Sequence, residues 1–271
     1  VILVWFNRYN FTPSNVSAWV HDRVVGIGTG DGYPYSINDM SVLGRNFLSV
    51  DKNAVFLSDT SLVVLNSTAK EIVSRQHSFA SPVIKADTLH MLTYSLGGTN
   101  CRVETVGKTL RSFNADGKIT AGAVSSGGRY ALLTECDGYC GKLTVYTSDG
   151  KVKSYYWFSD YYPTAVALND DGTKAAVTGI STSNGALVSA VYILDLNSSK
   201  VSQPKGTYSE NMLFDVSWDS PSAVIAVGDK SAEIINPQNS EHHSFGYGDM
   251  RLTSYGTGGG YAAFGLVSYE N

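Results

Sequence analysis

Residues 47–57 read Phe-Leu-Ser-Val-Asp-Lys-Asn-Ala-Val-Phe-Leu, two apolar segments joined by a polar turn at Asp51-Lys52-Asn53. Two more segments of strand character follow, Leu62 to Leu65 and Glu71 to Val73. Because Asp and Asn tolerate the positive φ angles of tight hairpin turns, this stretch predicts four short antiparallel strands in one sheet.

The same pattern returns along the chain with a period of about 36–50 residues. Four more units repeat it, and a sixth has only two recognisable strands. These units run from Pro82 to Phe113, from Ile119 to Trp157, from Ala165 to Leu194, from Leu213 to Ile235, and from Leu252 to Leu266. An all-β repeat of this period predicts a β-propeller over residues 28–271, with at least five four-stranded blades and a partial sixth.

The sixth unit ends at Asn271, in the middle of a predicted blade. A propeller hides its strand edges by closing into a ring. Either a strand from about Gly26 to Ile37 completes the last blade, or the propeller is truncated at the C-terminus. We favour truncation.

The N-terminal segments differ from the repeats. Residues 1–10 begin with the apolar run Val1 to Phe6, which is too short to cross a bilayer; it fits a strand start or the outer end of a transmembrane anchor, and we favour the anchor. Residues 11–27 predict a short amphipathic helix that acts as a spacer, because Thr12-Pro13 resembles a helix start and apolar residues recur at helical spacing.

Composition excludes several classes of protein. The chain has 43% hydrophobic and only 16% charged residues, which is too apolar for a disordered chain. Its net charge is −4 and it contains no run of Lys and Arg, so we expect no nucleic-acid partner.

Reactive residue types do not converge on a known catalytic pattern. Cys136 and Cys140 flank a tight loop, where they could form a disulfide outside the cytoplasm or remain free thiols; we favour free thiols. The sequence lacks the spacing of a zinc site, a nucleophile elbow or a phosphate loop. We therefore predict no catalytic residue, no metal and no cofactor.

Loop position indicates candidate ligand-binding residues. In propellers, the loops between blades and the loops from the second to the third strand lie on one face, around the channel mouth. Aromatic and acidic side chains at such loops suit a peptide or a glycan, although the tyrosines could instead pack between blades. The candidates are His77, Tyr139, Trp157, Asp160, Tyr161, Tyr162 and Glu210.

Several segments together resemble an uncharacterised bacterial family of membrane-anchored propeller proteins, a domain of unknown function. The segments are Phe11-Thr12-Pro13 with Trp19, Gly30 to Pro34, His77 to Pro82, Asp137-Gly138-Tyr139, and Tyr156-Trp157-Phe158. The resemblance implies an N-terminal transmembrane helix and an extracytoplasmic propeller, without an assigned activity. WD40 proteins and quinoproteins are weaker comparisons, because Trp218-Asp219 is the one Trp-Asp pair.

We therefore expect a non-catalytic binding or scaffold domain at the outer side of the cell membrane. Its partner would be a protein, a peptide or a glycan. The alternative is a glycan-active enzyme, a hydrolase or lyase, that uses carboxylates at the channel mouth.

Overall fold

A computed structural model describes residues 13, 16, 17, 20, 28–38, 40–198, 202–239, 241–258 and 261–268. These residues form an all-β protein of five four-stranded antiparallel sheets and one two-stranded sheet. The strands of sheets I to III are β1 (Val42–Val50), β2 (Asn53–Ser58), β3 (Ser61–Leu65), β4 (Glu71–Gln76), β5 (Pro82–Asp87), β6 (His90–Ser95), β7 (Asn100–Glu104), β8 (Thr109–Asn114), β9 (Ile119–Val124), β10 (Tyr130–Thr134), β11 (Gly141–Tyr146) and β12 (Val152–Phe158). Those of sheets IV to VI are β13 (Tyr162–Leu168), β14 (Lys174–Ser183), β15 (Ala186–Asp195), β16 (Gly206–Ser209), β17 (Leu213–Ser220), β18 (Ala223–Gly228), β19 (Ser231–Ile235), β20 (His242–Gly246), β21 (Met250–Gly258) and β22 (Tyr261–Ser268).

Each four-stranded sheet contains four consecutive strands in chain order, from β1-β2-β3-β4 to β17-β18-β19-β20. Sheet VI contains only β21 and β22. The prediction of five complete units and a partial sixth is thus confirmed at the level of the sheets.

Burial follows the position of a strand within its sheet. Every residue of β6 and β10, the second strands of sheets II and III, is buried, whereas every residue of β20, a fourth strand, is exposed. A second strand is covered by hydrogen-bonded neighbours on both sides, and its apolar side chains pack above and below the sheet. This explains the uninterrupted apolar runs that define the repeat.

The chain divides into two compact units. The first comprises Val1–Tyr130 with Tyr146–Lys151, and the second Ala131–Val145 with Val152–Asn271. In the first unit, Leu57, Val64 and Met91 belong to a core cluster in which each of the three is fully buried. In the second unit, Ala176 and Val224 belong to a cluster formed by sheets IV and V. Full burial of a Val, Leu or Met side chain stabilises the folded state by about 1.5–3 kcal/mol.

Residues 28–38 and 40 lie along one side of sheet I and form no strand. Gly30 N donates to Thr68 Oγ1 (2.9 Å), and Gly32 N donates to the carbonyl of Thr68 (3.1 Å). Tyr35, Ile37 and neighbouring apolar residues pack against a small buried cluster that includes Phe56. The described residues of this segment therefore do not form the strand from Gly26 to Ile37 that would complete the last blade.

The predicted N-terminal elements are not confirmed. Residues 1–10 lie outside the described residues. Within 11–27 the structure describes only residues 13, 16, 17 and 20, and the side chains of Val16 and Val20 are exposed. No helix in the described part of the chain has the length and apolar composition needed to cross a bilayer.

Sheet IV contains a long hairpin that the repeat pattern did not predict. β14 and β15 pair from Lys174 to Ser183, beyond the point where β13 stops pairing at Ile180. The connecting turn is Asn184-Gly185, with φ angles of 52° and 82°. An Asn-Gly pair with both φ angles positive is the signature of a two-residue hairpin turn.

The β1–β2 turn gives the first testable prediction. Val50 pairs with Asn53, so Asp51 and Lys52 form a two-residue turn, with φ angles of 44° and 66°. A residue with a Cβ atom is strained at such angles by about 1–2 kcal/mol, and glycine is not. Lys52→Gly should therefore raise the free energy of unfolding by about 0.5–1 kcal/mol after the greater entropy of glycine in the unfolded chain is subtracted.

Urea denaturation measures this change. Lys52→Ala is the matched control, since it removes the same charge and keeps the strained Cβ atom. If Lys52→Ala stabilised the protein as much as Lys52→Gly, relief of backbone strain would not be the cause.

Candidate functional site

Two exposed aromatic side chains, one of them the predicted site residue Trp157, lie together on β12, the outer strand of sheet III. Alternate residues of a strand point to opposite faces, so Tyr155 and Trp157 share one face. Tyr155 is 48% exposed and Trp157 46% exposed, and their rings stack with centroids 5.6 Å apart. Two large aromatic rings side by side in solvent favour a role in recognition over a role in the core.

Tyr139 reaches the same surface from the β10–β11 loop. Its ring centroid lies 6.3 Å from that of Trp157, and the side chain is 51% exposed. A turn in which Tyr139 N donates to the Cys136 carbonyl (3.2 Å) sets the loop, with Gly138 at a φ angle of 78°. Cys140 N donates to the Phe158 carbonyl (2.7 Å), which ties the loop to β12.

Lys142 is buried next to these exposed rings. Its ammonium group lies 5.5 Å from the ring centroid of Tyr155, within the range of a cation–π interaction. We call Tyr139, Trp157, Tyr155 and Lys142 the aromatic row. The sequence reasoning found Tyr139 and Trp157 but missed Tyr155 and Lys142. The spacing of Tyr155 and Trp157, two residues apart on one predicted strand, could have revealed Tyr155.

The opposite face of β12 packs inside the second unit. Tyr156 and Phe158 contact Tyr192 of β15, and Tyr156 Oη donates to the Ser202 carbonyl (2.8 Å). Tyr161 makes an edge-to-face contact with Tyr192, with ring centroids 6.1 Å apart. Burial is the main cause of the raised pKa of Tyr192, and the neighbouring Tyr156 and Asp160 raise this pKa further. Tyr161 thus packs with this internal group, and the structure does not bring it together with Trp157.

Two other predicted residues of the same loop are exposed. Tyr162, the first residue of β13, is 63% exposed, and Asp160 is also exposed. Burial is the main cause of the raised pKa of Tyr156 and of Cys140, and the Asp160 carboxylate raises both pKa values further. Both residues therefore remain available at the surface of the second unit.

His77 lies in the first unit, between β4 and β5, and both of its ring nitrogens have partners. Nδ1 accepts from Phe79 N (3.2 Å), so Nε2 carries the proton and donates to the Ser58 carbonyl (3.1 Å). The ring also stacks on Phe79, with centroids 4.7 Å apart. Burial lowers the pKa of His77 below its usual range, and the neutral ring holds this loop in place.

Glu210 follows β16 and has a positive φ of 56°. Its carboxylate is exposed and lies 3.8 Å from Lys230 Nζ. Glu210 N donates to the Leu187 carbonyl (2.9 Å), which links this loop to the long hairpin of sheet IV.

The structure holds Cys101, Cys136 and Cys140 as free thiols. Cys140 Sγ donates to the Ser159 carbonyl (3.2 Å), so this thiol is part of the contact between the loop and the chain after β12. Within the described ranges, no cluster of His, Cys, Asp and Glu side chains has an arrangement suited to a metal ion.

Solved structures with similar folds contain propellers. The WD40 domain of Pan2 from Neurospora crassa is 15% identical, over 78% of this chain and 68% of that chain, with a TM-score of 0.54. Hydrazine synthase from Kuenenia stuttgartiensis is 14% identical, over 83% and 74%, with a TM-score of 0.58. A chain of the mitotic checkpoint complex is 12% identical, over 84% and 77%, with a TM-score of 0.56. At such identities the likeness shows the fold alone, a WD40-like β-propeller repeat.

Sequence comparison gives the family. None of the curated proteins matches this chain. The model of a family of unknown function, DUF5711, matches residues 35–246, from the segment that lines sheet I to the end of β20. The chain therefore belongs to DUF5711, a family whose function is unknown and whose fold, in this member, is a repeat of propeller-type sheets.

Proposed function

We propose that this chain is a non-catalytic binding domain held at the outer side of a cell membrane, and that the aromatic row contacts a protein or peptide partner. The observation that carries the proposal is the row itself: three neighbouring rings, each about half exposed, on a rigid strand and a tied loop. Tyr and Trp are the residues that contribute most at protein interfaces, because they present large contact areas with few rotatable bonds.

The geometry of the row suits an extended peptide. Proline-rich segments bind to shallow surfaces that are lined by aromatic side chains. Because such a segment already has its bound conformation in solution, it loses little conformational entropy on binding. Lys142, which is 9% exposed, contacts the Tyr155 ring and helps to hold that ring in place. Glycans are the alternative ligand, since sugar rings also stack on exposed aromatic faces.

Two sequence features support the membrane location. The run Val1 to Phe6 is apolar, and Trp5-Phe6 followed by Asn7-Arg8 has the composition of a membrane–water boundary. The resemblance to membrane-anchored propeller proteins points the same way.

Arrays of immobilised peptides and glycans test the binding proposal. Residues 28–271 are compared with the Tyr155→Ala/Trp157→Ala variant. We expect the wild-type protein to capture a set of peptides that the double variant captures at least tenfold less, because loss of a central aromatic contact costs about 2 kcal/mol or more. Tyr261→Ala, which removes an 80% exposed tyrosine elsewhere in the second unit, should leave capture unchanged.

Stability distinguishes a surface role from a core role. Tyr155→Ala/Trp157→Ala should keep the melting temperature of the wild type, whereas Tyr161→Ala should lower it because Tyr161 packs on Tyr192. Equal capture by the wild type and the double variant would contradict the proposal. Cleavage of arrayed glycans with release of new reducing ends would instead favour the glycan-active enzyme.

A further inference from the structure

A cleft of about 540 Å³ lies at one end of sheet V, next to the start of β21. This volume is within the range of about 300–1,000 Å³ that is typical of small-molecule sites. Its lining combines two acidic residues, two basic residues and apolar side chains; the residues that matter below are Phe214, Asp229, Lys230, Asp249, Met250 and Arg251.

Two of the four charged groups already have partners in the protein. Asp229 Oδ1 accepts from Met212 N (2.6 Å), which fixes the carboxylate at the β18–β19 turn. Lys230 Nζ lies 3.8 Å from the Glu210 carboxylate. These contacts give one wall of the cleft a defined position.

The other two charged groups are free within the described part of the chain. Asp249 and Arg251 are both exposed, and neither side chain forms a hydrogen bond or an ion pair with another described residue. They are two residues apart at the start of β21, and both line the cleft. A carboxylate and a guanidinium that face one cleft without pairing leave both charges available to a ligand.

Tyr247, two residues before Asp249 in the chain, is buried. Tyr247 is 1% exposed, and its Oη has no hydrogen-bond partner among the described residues. Burial has the largest effect on the pKa of Tyr247 and, with the charges of Glu233 and Asp229, raises it to about 12, so the hydroxyl is protonated. A buried polar group without a partner is uncommon in folded proteins.

We infer that the cleft binds a small zwitterion with an apolar body, of the class of short apolar peptides with free termini. Arg251 would bind the terminal carboxylate through two parallel N–H donors, and Asp249 would bind the terminal ammonium group. Phe214 and Met250 would contact the apolar side chains of the ligand. This site is separate from the aromatic row and does not depend on it.

Isothermal titration with the dipeptide L-leucyl-L-phenylalanine tests the inference. The full chain should bind it saturably, with a dissociation constant below about 1 mM. The dipeptide amide, which lacks the carboxylate, and the N-acetyl dipeptide, which lacks the ammonium group, should each bind roughly 10- to 100-fold more weakly, because each change removes a charged hydrogen bond.

Variants then assign each charge to its partner. Arg251→Gln should weaken binding of the dipeptide by the same factor as amidation of the dipeptide does. The Arg251→Gln protein and the wild type should bind the dipeptide amide with equal affinity. Asp249→Asn should behave in the same way toward N-acetylation. Arg45→Gln, which removes an exposed arginine of β1, is the matched control and should bind like the wild type.

Two results would overturn the inference. One is the absence of saturable binding at about 10 mM dipeptide, the weakest affinity that a charged two-point contact would give. The other is a loss of affinity on amidation of the dipeptide that is as large in the Arg251→Gln protein as in the wild type. The carboxylate of the dipeptide would then lie away from Arg251. Thermal unfolding of each variant verifies that it is folded.

Discussion

Replacement of Arg75 by alanine should lower the free energy of unfolding by about 3–5 kcal/mol, because it leaves a buried carboxylate without its charge partner. Arg75 Nε lies 3.2 Å from Glu104 Oε2, and the Glu104 side chain is only 2% exposed. The guanidinium also donates to the carbonyls of Thr105 (2.6 Å) and Val106 (3.0 Å). One side chain therefore holds the end of sheet I against the β7–β8 turn of sheet II.

The pH dependence of this loss has a definite sign. Burial raises the pKa of Glu104, and Arg75 partly offsets that rise. Without Arg75 the pKa rises further, so the folded variant binds a proton more tightly than the unfolded chain does. Stability that the variant retains at low pH is then lost as the pH rises through the folded-state pKa. The deficit measured by urea denaturation should be larger at pH 7 than at acidic pH.

Two further variants serve as controls for Arg75→Ala. Lys151→Ala breaks an ion pair with Asp149 in which both side chains are exposed, and it should change stability by less than about 1 kcal/mol. Arg75→Met/Glu104→Met removes both charges and should recover most of the loss. A small effect of Arg75→Ala, similar to that of Lys151→Ala, would show that the buried pair does not hold the two sheets together.

Asn211→Ala should be the second large effect, a loss of about 2–4 kcal/mol, because one buried amide forms several hydrogen bonds within sheet V. Asn211 Oδ1 accepts from the backbone N–H groups of Lys230 (3.1 Å) and Ser231 (3.3 Å). Its Nδ2 donates to Ser231 Oγ (2.7 Å) and Glu233 Oε1 (3.4 Å). Alanine would remove these four hydrogen bonds, although Ser231 Oγ and Ser244 Oγ would still donate to Glu233 Oε1.

A substitution at Gly228 should disrupt the hydrogen bonds of Asn211 in a second way. A Cβ atom at Gly228 would collide with Asn211 Oδ1, so Gly228→Ala should displace the amide and reproduce part of the loss. Asn239→Ala is the control, since Asn239 Oδ1 accepts from Glu241 N (3.0 Å) in an exposed turn and should cost less than about 1 kcal/mol. Thermal and urea unfolding measure all three. An Asn211→Ala protein as stable as Asn239→Ala would contradict this assignment.

The sheets could be predicted from the sequence because their determinants are local. Polar turn residues and apolar runs placed β2, β3 and β4 of sheet I within a few residues of their positions, and Asp51, a residue type that tolerates positive φ, has a φ angle of 44°. Burial of each second strand between two neighbours explains why its apolar run is unbroken.

Features that depend on contacts across the fold were not predictable in the same way. The segment 28–38 was one candidate for a strand, but its polar backbone groups bond with Thr68 and its apolar side chains cover sheet I. The long β14–β15 hairpin escaped notice because Ser181 to Ala186 are small and polar and lack strand-type alternation.

The candidate site was half predictable. The composition of the loops pointed to Tyr139 and Trp157, and strand alternation adds Tyr155. The position of Tyr161 could not be inferred, because a tyrosine beside a strand end looks the same in sequence whether it faces solvent or, as here, packs on Tyr192. The cleft was missed because Asp249 and Arg251 become neighbours of Asp229 only when β21 lies next to sheet V.

Hydroxyl-radical footprinting of residues 28–271 tests the central claim, that the aromatic row is the recognition surface, most directly. The protein is oxidised alone and with a saturating peptide selected on the array, and side-chain oxidation is quantified by mass spectrometry. We expect the peptide to protect Tyr139, Tyr155 and Trp157 and to leave Tyr261 and Met250 unchanged. Unchanged oxidation of the three row residues, with protection elsewhere in the chain, would contradict the claim.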